Sequence, residues 1–280
     1  MSNSIRINLT KDDLLAEIKM QLSAPQNANK TFVLVEGIDD IALFEPLLNV
    51  NECFLFESYG GKEALSEIVS ESFADKRVIG IRDRDYEGQS QCERMFYCDY
   101  CNAEMMMISN NTYFSSLMKK IVVSSMNYLQ LRDEILESLK MVSFTRKQND
   151  ERKWGVTLNG ISSSYLFSLS NPIDLDNLIL HINSKSEIKI NTEMMETIID
   201  DACNNTNNLL LYTNGHDFCA ILKCMIVKMC GQKCLLNRLA ESDFRKILSL
   251  SYNYDYFKLT KLYELLKQYG NKESLRIVRA

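Results

Sequence analysis

The chain has 280 residues, of which 46% are hydrophobic and 25% are charged, and its formal net charge is −5. This composition is typical of a globular protein and excludes disorder, and the negative charge excludes a wholesale basic nucleic-acid binder. The N-terminus lacks the apolar core of a signal peptide, and no apolar run approaches the roughly 18 residues of a membrane span. Despite nine cysteines, we therefore expect a cytoplasmic protein with reduced thiols and no membrane contact.

Alternating strand and helix patterns fill the first third of the chain. Helices are predicted over 9–22, 39–48 and 62–73, and strands over 31–36, 53–57, 77–82 and, more briefly, 94–98. The strands are nearly continuous apolar runs, which is typical of strands buried on both faces of a parallel sheet. Because strands and helices alternate, we expect an α/β fold, with a parallel sheet and right-handed crossovers.

Helical patterns dominate the second half. They are predicted over 127–147, 194–202, 217–230, 235–250 and 256–269, with a turn or hairpin at 155–160. The change from alternating strands and helices to helices alone suggests two domains. We expect a catalytic domain over residues 1–115 and a mainly helical C-terminal region over 116–280, which would contact the substrate or a partner.

Three carboxylates stand where predicted strands end: Glu36 after the first, and Asp83 and Asp85 after the third. Because ligands bind outside the carboxyl ends of parallel strands, we expect these side chains to converge. Converging carboxylates repel one another unless a cation lies between them, and oxygen ligands suit Mg²⁺ or Mn²⁺. The sequence therefore predicts Glu36, Asp83 and Asp85 as catalytic metal ligands, with Asp39 as a further candidate. The structural alternatives are a helix cap for Glu36 and an acidic turn for the two aspartates.

Two further positions are candidates for contacts with phosphate or substrate. Gly60, Gly61 and Lys62 open a predicted helix, where backbone N–H groups and a lysine can bind a phosphate; the alternative is a glycine-rich turn. The Walker A pattern is absent, so no ATP site is expected in the chain itself. His216 precedes a periodic helix and is a candidate substrate contact, although capping of that helix by Asn214 or Asp217 is the favoured explanation.

Aromatic and basic residues cluster near the C-terminus, and two cysteines form a C-x-x-C pair. The cluster contains Tyr252, Tyr254, Tyr256, Phe257, Arg245, Lys246, Lys258 and Lys261. Such residues stack bases and hold phosphates, but they also form partner surfaces and helix packing. We interpret Cys98 and Cys101 as thiols of the core or the surface, because a zinc site needs further ligands in paired spacing.

Glu36 followed by Gly37, with Asp83-x-Asp85 after a later strand, resembles the TOPRIM pattern of topoisomerases, bacterial primases and overcoming-lysogenisation-defect nucleases. The segment Tyr59–Leu65 is similar to standalone TOPRIM proteins that partner ABC- or AAA-type ATPases in bacterial anti-phage defence, such as the nuclease subunit of the PARIS system. The resemblance implies a TOPRIM-like fold and a Mg²⁺-dependent nuclease, which an ATPase partner restrains until infection and which cleaves RNA (tRNA included) or DNA.

The same resemblance implies that Glu104 is an accessory acid and a further metal ligand. Two other functions stay open. A TOPRIM domain with a degenerate site would act as a regulatory or scaffold subunit, and a phosphotransfer enzyme like the HAD phosphatases would use Asp83 as its nucleophile. A homodimer is also compatible with the sequence.

Overall fold

The computed structural model describes residues 10–86, 92–122, 126–158, 175–205, 207–230 and 240–279. Within these ranges the chain divides into two compact units. The sheet unit contains residues 10–83, 92–99 and 252–279, and the helical unit contains residues 84–86 and the described residues from 100 to 251. This division differs from the predicted one at 115/116, because the C-terminal segment belongs with the sheet while residues 100–115 belong with the helices.

Strands and helices alternate at first and helices follow. The strands are β1 (Thr31–Val35), β2 (Cys53–Glu57), β3 (Val78–Arg82) and β4 (Met95–Tyr97). The α-helices are α1 (Lys11–Ser23), α2 (Ile38–Phe44), α3 (Gly61–Glu67), α4 (Ala103–Ser109), α5 (Asn111–Ile121), α6 (Tyr128–Ser138), α7 (Lys140–Glu151), α8 (Leu175–Lys185), α9 (Thr192–Asn204), α10 (Gly215–Cys230), α11 (Glu241–Ser251), α12 (Tyr254–Phe257) and α13 (Lys261–Glu273). The predicted α/β class, with a parallel sheet and a mainly helical C-terminal region, is confirmed.

The four strands form one parallel sheet in the order β2-β1-β3-β4. Leu34 of β1 lies opposite Gly80 of β3, and Gly80 lies opposite Met95 of β4. A methyl group on Gly80 would come within 2.7 Å of the Met95 sulfur and 2.9 Å of Leu65 Cδ2. The close packing of β3 against its neighbours therefore depends on this glycine.

The helices of the sheet unit cover the apolar strands. Leu14 and Ile18 of α1 join Phe32 and Leu34 of β1 in one buried cluster. Helix α1 begins at a capping box, in which the Asp13 N–H donates to Thr10 Oγ1 (3.3 Å). The helix predicted over 39–48 ends earlier, at Phe44. The helix predicted over 256–269 is interrupted, and Thr260 caps α13 by accepting from the N–H of Tyr263 (3.1 Å).

In the helical unit, the helix predicted over 127–147 is two helices, α6 and α7, that meet at Leu139. A bidentate ion pair joins α7 to α10, with Arg146 Nε and Nη2 at 2.5 and 3.0 Å from the carboxylate of Asp217. The predicted turn at 155–160 and the helix at 235–250 extend partly outside the described residues. Among the described helices, none combines the length and the apolar composition needed to cross a membrane.

Candidate functional site

The sheet brings two of the predicted acids to one edge. Glu36 directly follows β1 and Asp83 directly follows β3, and these strands are hydrogen-bonded neighbours. The chain leaves β1 towards β2 on one side, while β3 pairs with β1 on the other side. The gap between β1 and β3 is therefore the point where strand order reverses, and the carboxyl ends at such a point form the usual ligand-binding crevice of open α/β sheets.

Glu36 faces a buried cation. Arg82, the last residue of β3, has its Nε 3.7 Å from Glu36 Oε1, and the arginine side chain is only 4% exposed against 26% for the glutamate. Arg82 Nη1 donates to Ser66 Oγ (3.0 Å), and the guanidinium lies 5.6 Å from the centre of the Tyr97 ring. The positive charge is thus fixed in place beside the carboxylate.

Glu36 does not cap the helix that follows it. The N-terminal cap position of α2 is Gly37, and its N–H donates to Asp40 Oδ2 (3.0 Å). Glu36 therefore lies one residue before the cap position, and the N–H of Gly37 is bonded by Asp40. Asp39 lies exposed in the first turn of α2, where a carboxylate also complements the helix dipole.

Asp83 lies beside the buried thiol of Cys98, to which the sequence analysis gave no role at the site. Burial raises the pKa of the Cys98 thiol well above its usual range, and the charges of Asp83 and Asp40 and a hydrogen bond to Asp83 raise it further. Asp83 is thus hydrogen-bonded to the Cys98 sulfur, and Asp40 lies close enough for its charge to act on the same thiol. Asp40 therefore joins Glu36 and Asp83 as a third acid at this edge of the sheet unit.

Asp85 departs from the pattern of a continued strand. Strand β3 ends at Arg82, and Asp85 has a left-handed backbone with φ at +49°. Its N–H donates to the Cys101 carbonyl in the helical unit (2.7 Å). The strand therefore does not continue to Asp85, and the turn alternative describes the backbone of this residue. Within the described residues, no three His, Cys, Asp or Glu side chains are gathered closely enough to hold a metal ion.

The glycine turn before α3 lies next to the backbone of Glu36. Ser58 Oγ donates within this loop to the Gly61 carbonyl (2.9 Å) and lies 3.3 Å from the Glu36 carbonyl. Gly61 has φ at +64°, and a methyl group on Gly60 would come within 2.6 Å of Ala64 Cβ, so both glycines have structural reasons to be there. Lys62 follows, half-buried, at the start of α3.

The helical unit brings Glu104 and His216 together through Arg245. Arg245 Nη1 lies 3.6 Å from Glu104 Oε1 and 3.0 Å from His216 Nε2. Capping is present as well, since Asn214 Oδ1 accepts from the N–H of His216 (2.9 Å). Sequence reasoning grouped Arg245 with the C-terminal tyrosines; the structure instead places it with an acid and an imidazole that stand far from it in the chain.

Cations gather on two tyrosines near the C-terminus of the sheet unit. Lys258 Nζ and Arg279 Cζ lie 5.4 and 5.5 Å from the centre of the Tyr254 ring, Lys267 Nζ lies 5.8 Å from that of Tyr263, and the two rings are 5.9 Å apart. We call these five residues the cation–tyrosine patch. Residues 252–280 carry six Lys or Arg and three Asp or Glu, in a chain whose net charge is −5. Part of the predicted aromatic–basic cluster is therefore a local positive surface.

Among known proteins, no family model matches this chain and no curated protein matches it. The resemblance to TOPRIM nucleases thus rests on the sequence motif.

Proposed function

We propose that this protein is a Mg²⁺-dependent nuclease whose reaction centre lies at the carboxyl edge of β1 and β3. One observation carries the proposal: Glu36 and Asp83 follow two neighbouring parallel strands at the point where the strand order reverses. The motif resemblance supports the same position. The proposed substrate is a nucleic acid, either RNA (tRNA included) or DNA.

The side chains at this edge offer donor atoms of the type that binds a small divalent cation. Glu36, Asp83 and Asp40 offer carboxylate oxygens, which are the ligands that Mg²⁺ and Mn²⁺ prefer. Glu36 and Asp83 would hold the ion, and Asp85, Asp39 and Glu104 stay predicted ligands. When bound, the ion would orient the phosphate and stabilise the charge that develops on it.

The side chains of the chain supply the other requirements of hydrolysis. Glu36 is half-buried at the strand end and would accept the proton of the attacking water, as a general base does. Arg82 is a positioning residue, because its fixed guanidinium restrains the Glu36 carboxylate and limits its repulsion from Asp83. The glycine turn at Gly60 and Gly61, with Lys62, would contact a neighbouring phosphate.

Substrate binding and control extend the proposal beyond the reaction centre. The cation–tyrosine patch would hold the sugar–phosphate backbone, since a chain with net charge −5 needs a local positive surface to bind a polyanion. The TOPRIM resemblance adds an ABC- or AAA-type ATPase as the partner that restrains the nuclease, and anti-phage defence by abortive infection as the setting.

One observation favours a second candidate function. Arg82 already provides a positive charge beside Glu36, so this acid is compensated without a metal ion. That arrangement suits a TOPRIM domain with a degenerate site, which would serve as a regulatory or scaffold subunit of the same ATPase complex. Metal binding separates the two candidates, since a scaffold has no need of it.

The deciding experiment compares wild type with Glu36→Gln and with Glu45→Gln, a control at an exposed carboxylate just past α2. Purified proteins are incubated with single-stranded RNA, tRNA and DNA, each with Mg²⁺ or with EDTA. The Mg²⁺-dependent activity is the difference between cleavage in Mg²⁺ and cleavage in EDTA. We expect this difference in wild type and Glu45→Gln, and a fall of at least about 100-fold in Glu36→Gln.

A cellular version tests restraint by the partner. Wild type and Glu36→Gln are expressed in a bacterial host, with and without the ATPase gene, under phage challenge. Toxicity or protection with cleaved nucleic acid in wild type alone supports the nuclease. Equal behaviour of the two proteins under activation would support the scaffold function.

A further inference from the structure

Three helices of the helical unit bring an acid, a guanidinium and an imidazole into contact. Glu104 stands in the first turn of α4, His216 in the first turn of α10, and Arg245 in α11. Arg245 Nη1 bridges the other two, at 3.6 Å from Glu104 Oε1 and 3.0 Å from His216 Nε2. His216 is exposed, so a ligand can reach the group from solvent.

The backbone packs tightly around this acid. A methyl group on Gly215, the residue before His216, would come within 2.6 Å of Glu104 Oε2 and 2.8 Å of Asn102 Nδ2. Asn102 in turn caps α4, with its Oδ1 accepting from the N–H of Met105 (3.1 Å). The carboxylate is therefore held by the start of α10 on one side and by Arg245 on the other, which fixes its position relative to the imidazole.

These three groups have complementary chemistry. A glutamate accepts a proton, an imidazole donates one, and a guanidinium binds a phosphate with two parallel hydrogen bonds. None of the three is a strong nucleophile or needs a metal ion. A reaction at this group therefore requires a substrate that carries its own nucleophile beside the phosphate, which RNA does with its 2′-hydroxyl.

We propose that Glu104, Arg245 and His216 form a second, metal-independent site that cleaves RNA by internal transfer of the phosphate. Its reaction uses neither Glu36 nor Asp83 and needs no metal ion. It assigns Glu104, a metal ligand only by the TOPRIM resemblance, to proton transfer instead. Arg245 binds the phosphate that links two nucleotides. Glu104 and His216 act as base and acid on its two sides.

The reaction balances with these groups alone. Glu104 takes the proton of the 2′-hydroxyl, and the 2′-oxygen forms a bond to phosphorus. The bond from phosphorus to the 5′-oxygen breaks, and that oxygen takes a proton from His216. The products are a 2′,3′-cyclic phosphate and a 5′-hydroxyl, and solvent returns the protons. Arg245 stabilises the extra negative charge on phosphorus during the transfer.

The observed contact between Arg245 and His216 fits the ligand-free form of such a site. Because Nη1 of arginine only donates, His216 Nε2 is the acceptor in this 3.0 Å contact. A phosphate bound to Arg245 competes for Nη1 and releases His216 Nε2.

The test uses the full chain in EDTA and a fluorescent DNA oligonucleotide that contains a single ribonucleotide. We expect cleavage at that nucleotide, with a 2′,3′-cyclic phosphate identified by mass spectrometry. The same oligonucleotide with a 2′-O-methyl group should stay intact, because its nucleophile is blocked. A purely structural ion pair between α4 and α11 would give no cleavage in EDTA, and that result would overturn the proposal.

Matched variants assign the activity to the three residues. Glu104→Gln and His216→Ala should each lower the rate in EDTA by about 100-fold, and Arg245→Lys should lower it less than Arg245→Ala. Glu196→Gln and His181→Ala are the controls, since Glu196 is exposed on α9 and His181 is the other histidine of the chain. Cleavage that persists unchanged in both Glu104→Gln and His216→Ala would overturn the assignment. Circular dichroism verifies that each variant is folded.

The same experiment can refute either proposed site without refuting the other. If cleavage appears only with Mg²⁺, the metal-dependent function stands and the second site is wrong. If cleavage appears in EDTA with cyclic phosphate ends and Mg²⁺ adds nothing, the second site stands and the proposed metal-dependent function is wrong.

Discussion

The guanidinium of Arg82 lies beside the carboxylate of Glu36, with 3.7 Å between Nε and Oε1, at the carboxyl ends of two neighbouring strands. An acid proposed to bind a cation thus already has a buried cation at its side. The charge of Arg82 cannot move away easily, because Ser66 and the Tyr97 ring hold the guanidinium as well. The positive charge of Arg82 therefore contributes to the electrostatic potential at any metal ion bound at this edge.

We expect Arg82→Met to destabilise the protein by about 2–3 kcal/mol, because it removes one partner of a mostly buried ion pair and leaves Glu36 uncompensated. Lys30→Met is the control. Lys30 Nζ lies 3.3 Å from Glu52 Oε2, and both side chains are about a quarter exposed, at 27% and 26%. Loss of that pair should cost less than about 1 kcal/mol. Urea denaturation measures both.

A double-mutant cycle with Glu36→Gln isolates the coupling between Arg82 and Glu36. The removal of Arg82 should cost less in the Glu36→Gln background, since no uncompensated charge then remains. Equal costs in both backgrounds would show that Arg82 acts through Ser66 and Tyr97 instead.

Binding of nucleic acid should depend on the cation–tyrosine patch. Each lysine that contacts a phosphate of a single strand adds about 0.7 to the slope of log affinity against log salt concentration. We therefore expect the double variant Lys258→Ala and Lys267→Ala to lower that slope by up to about 1.4. Fluorescence anisotropy with a labelled single strand of DNA in EDTA measures the slope without cleavage, because the metal-dependent site lacks its ion and DNA lacks the 2′-hydroxyl.

The control for the patch is the double variant Lys19→Ala and Lys153→Ala, which removes the same charge from other exposed positions. An equal fall in slope for both double variants would mean that net charge, rather than the patch, determines binding. Arg279 is left intact, because its Nη2 and Nε donate to the carbonyls of Pro46 (2.6 Å) and Leu48 (3.3 Å) and so anchor the C-terminal segment.

The sheet was predictable from sequence because its signals are local. Each strand is a short apolar run bounded by polar residues, and the predicted strand over 53–57 coincides with β2. The position of Glu36 and Asp83 after neighbouring strands also followed, since it needs only two parallel strands with acids at their ends. Helix boundaries were less predictable: α6 and α7 meet at Leu139 without a glycine or proline to mark the break.

The contacts that decide the chemistry were not predictable, because they depend on long-range register and packing. Arg82 meets Glu36 only because Leu34 lies opposite Gly80 in the sheet. Arg245 meets Glu104 only because α4 and α11, more than a hundred residues apart in the chain, lie together in one unit. No single-sequence pattern encodes either relationship.

The alkaline stability of the protein should depend on Cys53. Burial, as the largest cause, raises the pKa of this thiol from 9.0 to about 12. The unfolded chain therefore loses this proton at a lower pH than the folded one, so the stability contribution is complete below pH 9 and is lost as the pH rises towards 12. At pH 10 the loss is about 1.4 kcal/mol, the energy of one unit of pKa.

Cys53→Ala tests this dependence. The difference in unfolding free energy between wild type and variant should be constant from pH 7 to 8.5 and should shift by about 1.4 kcal/mol against wild type at pH 10. Urea denaturation at each pH, under reducing conditions, gives the difference. A constant difference throughout would mean that the thiol ionises as readily in the folded protein as in the unfolded chain. Other groups that titrate at alkaline pH are present in both proteins and cancel.

Gly215→Ala should disturb the fold and the proposed second site together. The new methyl group would meet Glu104 Oε2 at 2.6 Å and Glu104 Cβ at 2.7 Å, and the nearby Asn102 is buried and tied to the cap of α4. Relief of such overpacking costs about 1–3 kcal/mol and moves the carboxylate away from Arg245. The control is Gly37→Ala, because nothing lies within 4 Å of its new methyl group.

This control substitution should lower the free energy of unfolding by less than about 1 kcal/mol. Urea denaturation measures both variants, and cleavage in EDTA should fall in Gly215→Ala. If Gly215→Ala is as stable as Gly37→Ala and cleaves RNA in EDTA as wild type does, the close packing of Gly215 does not position Glu104.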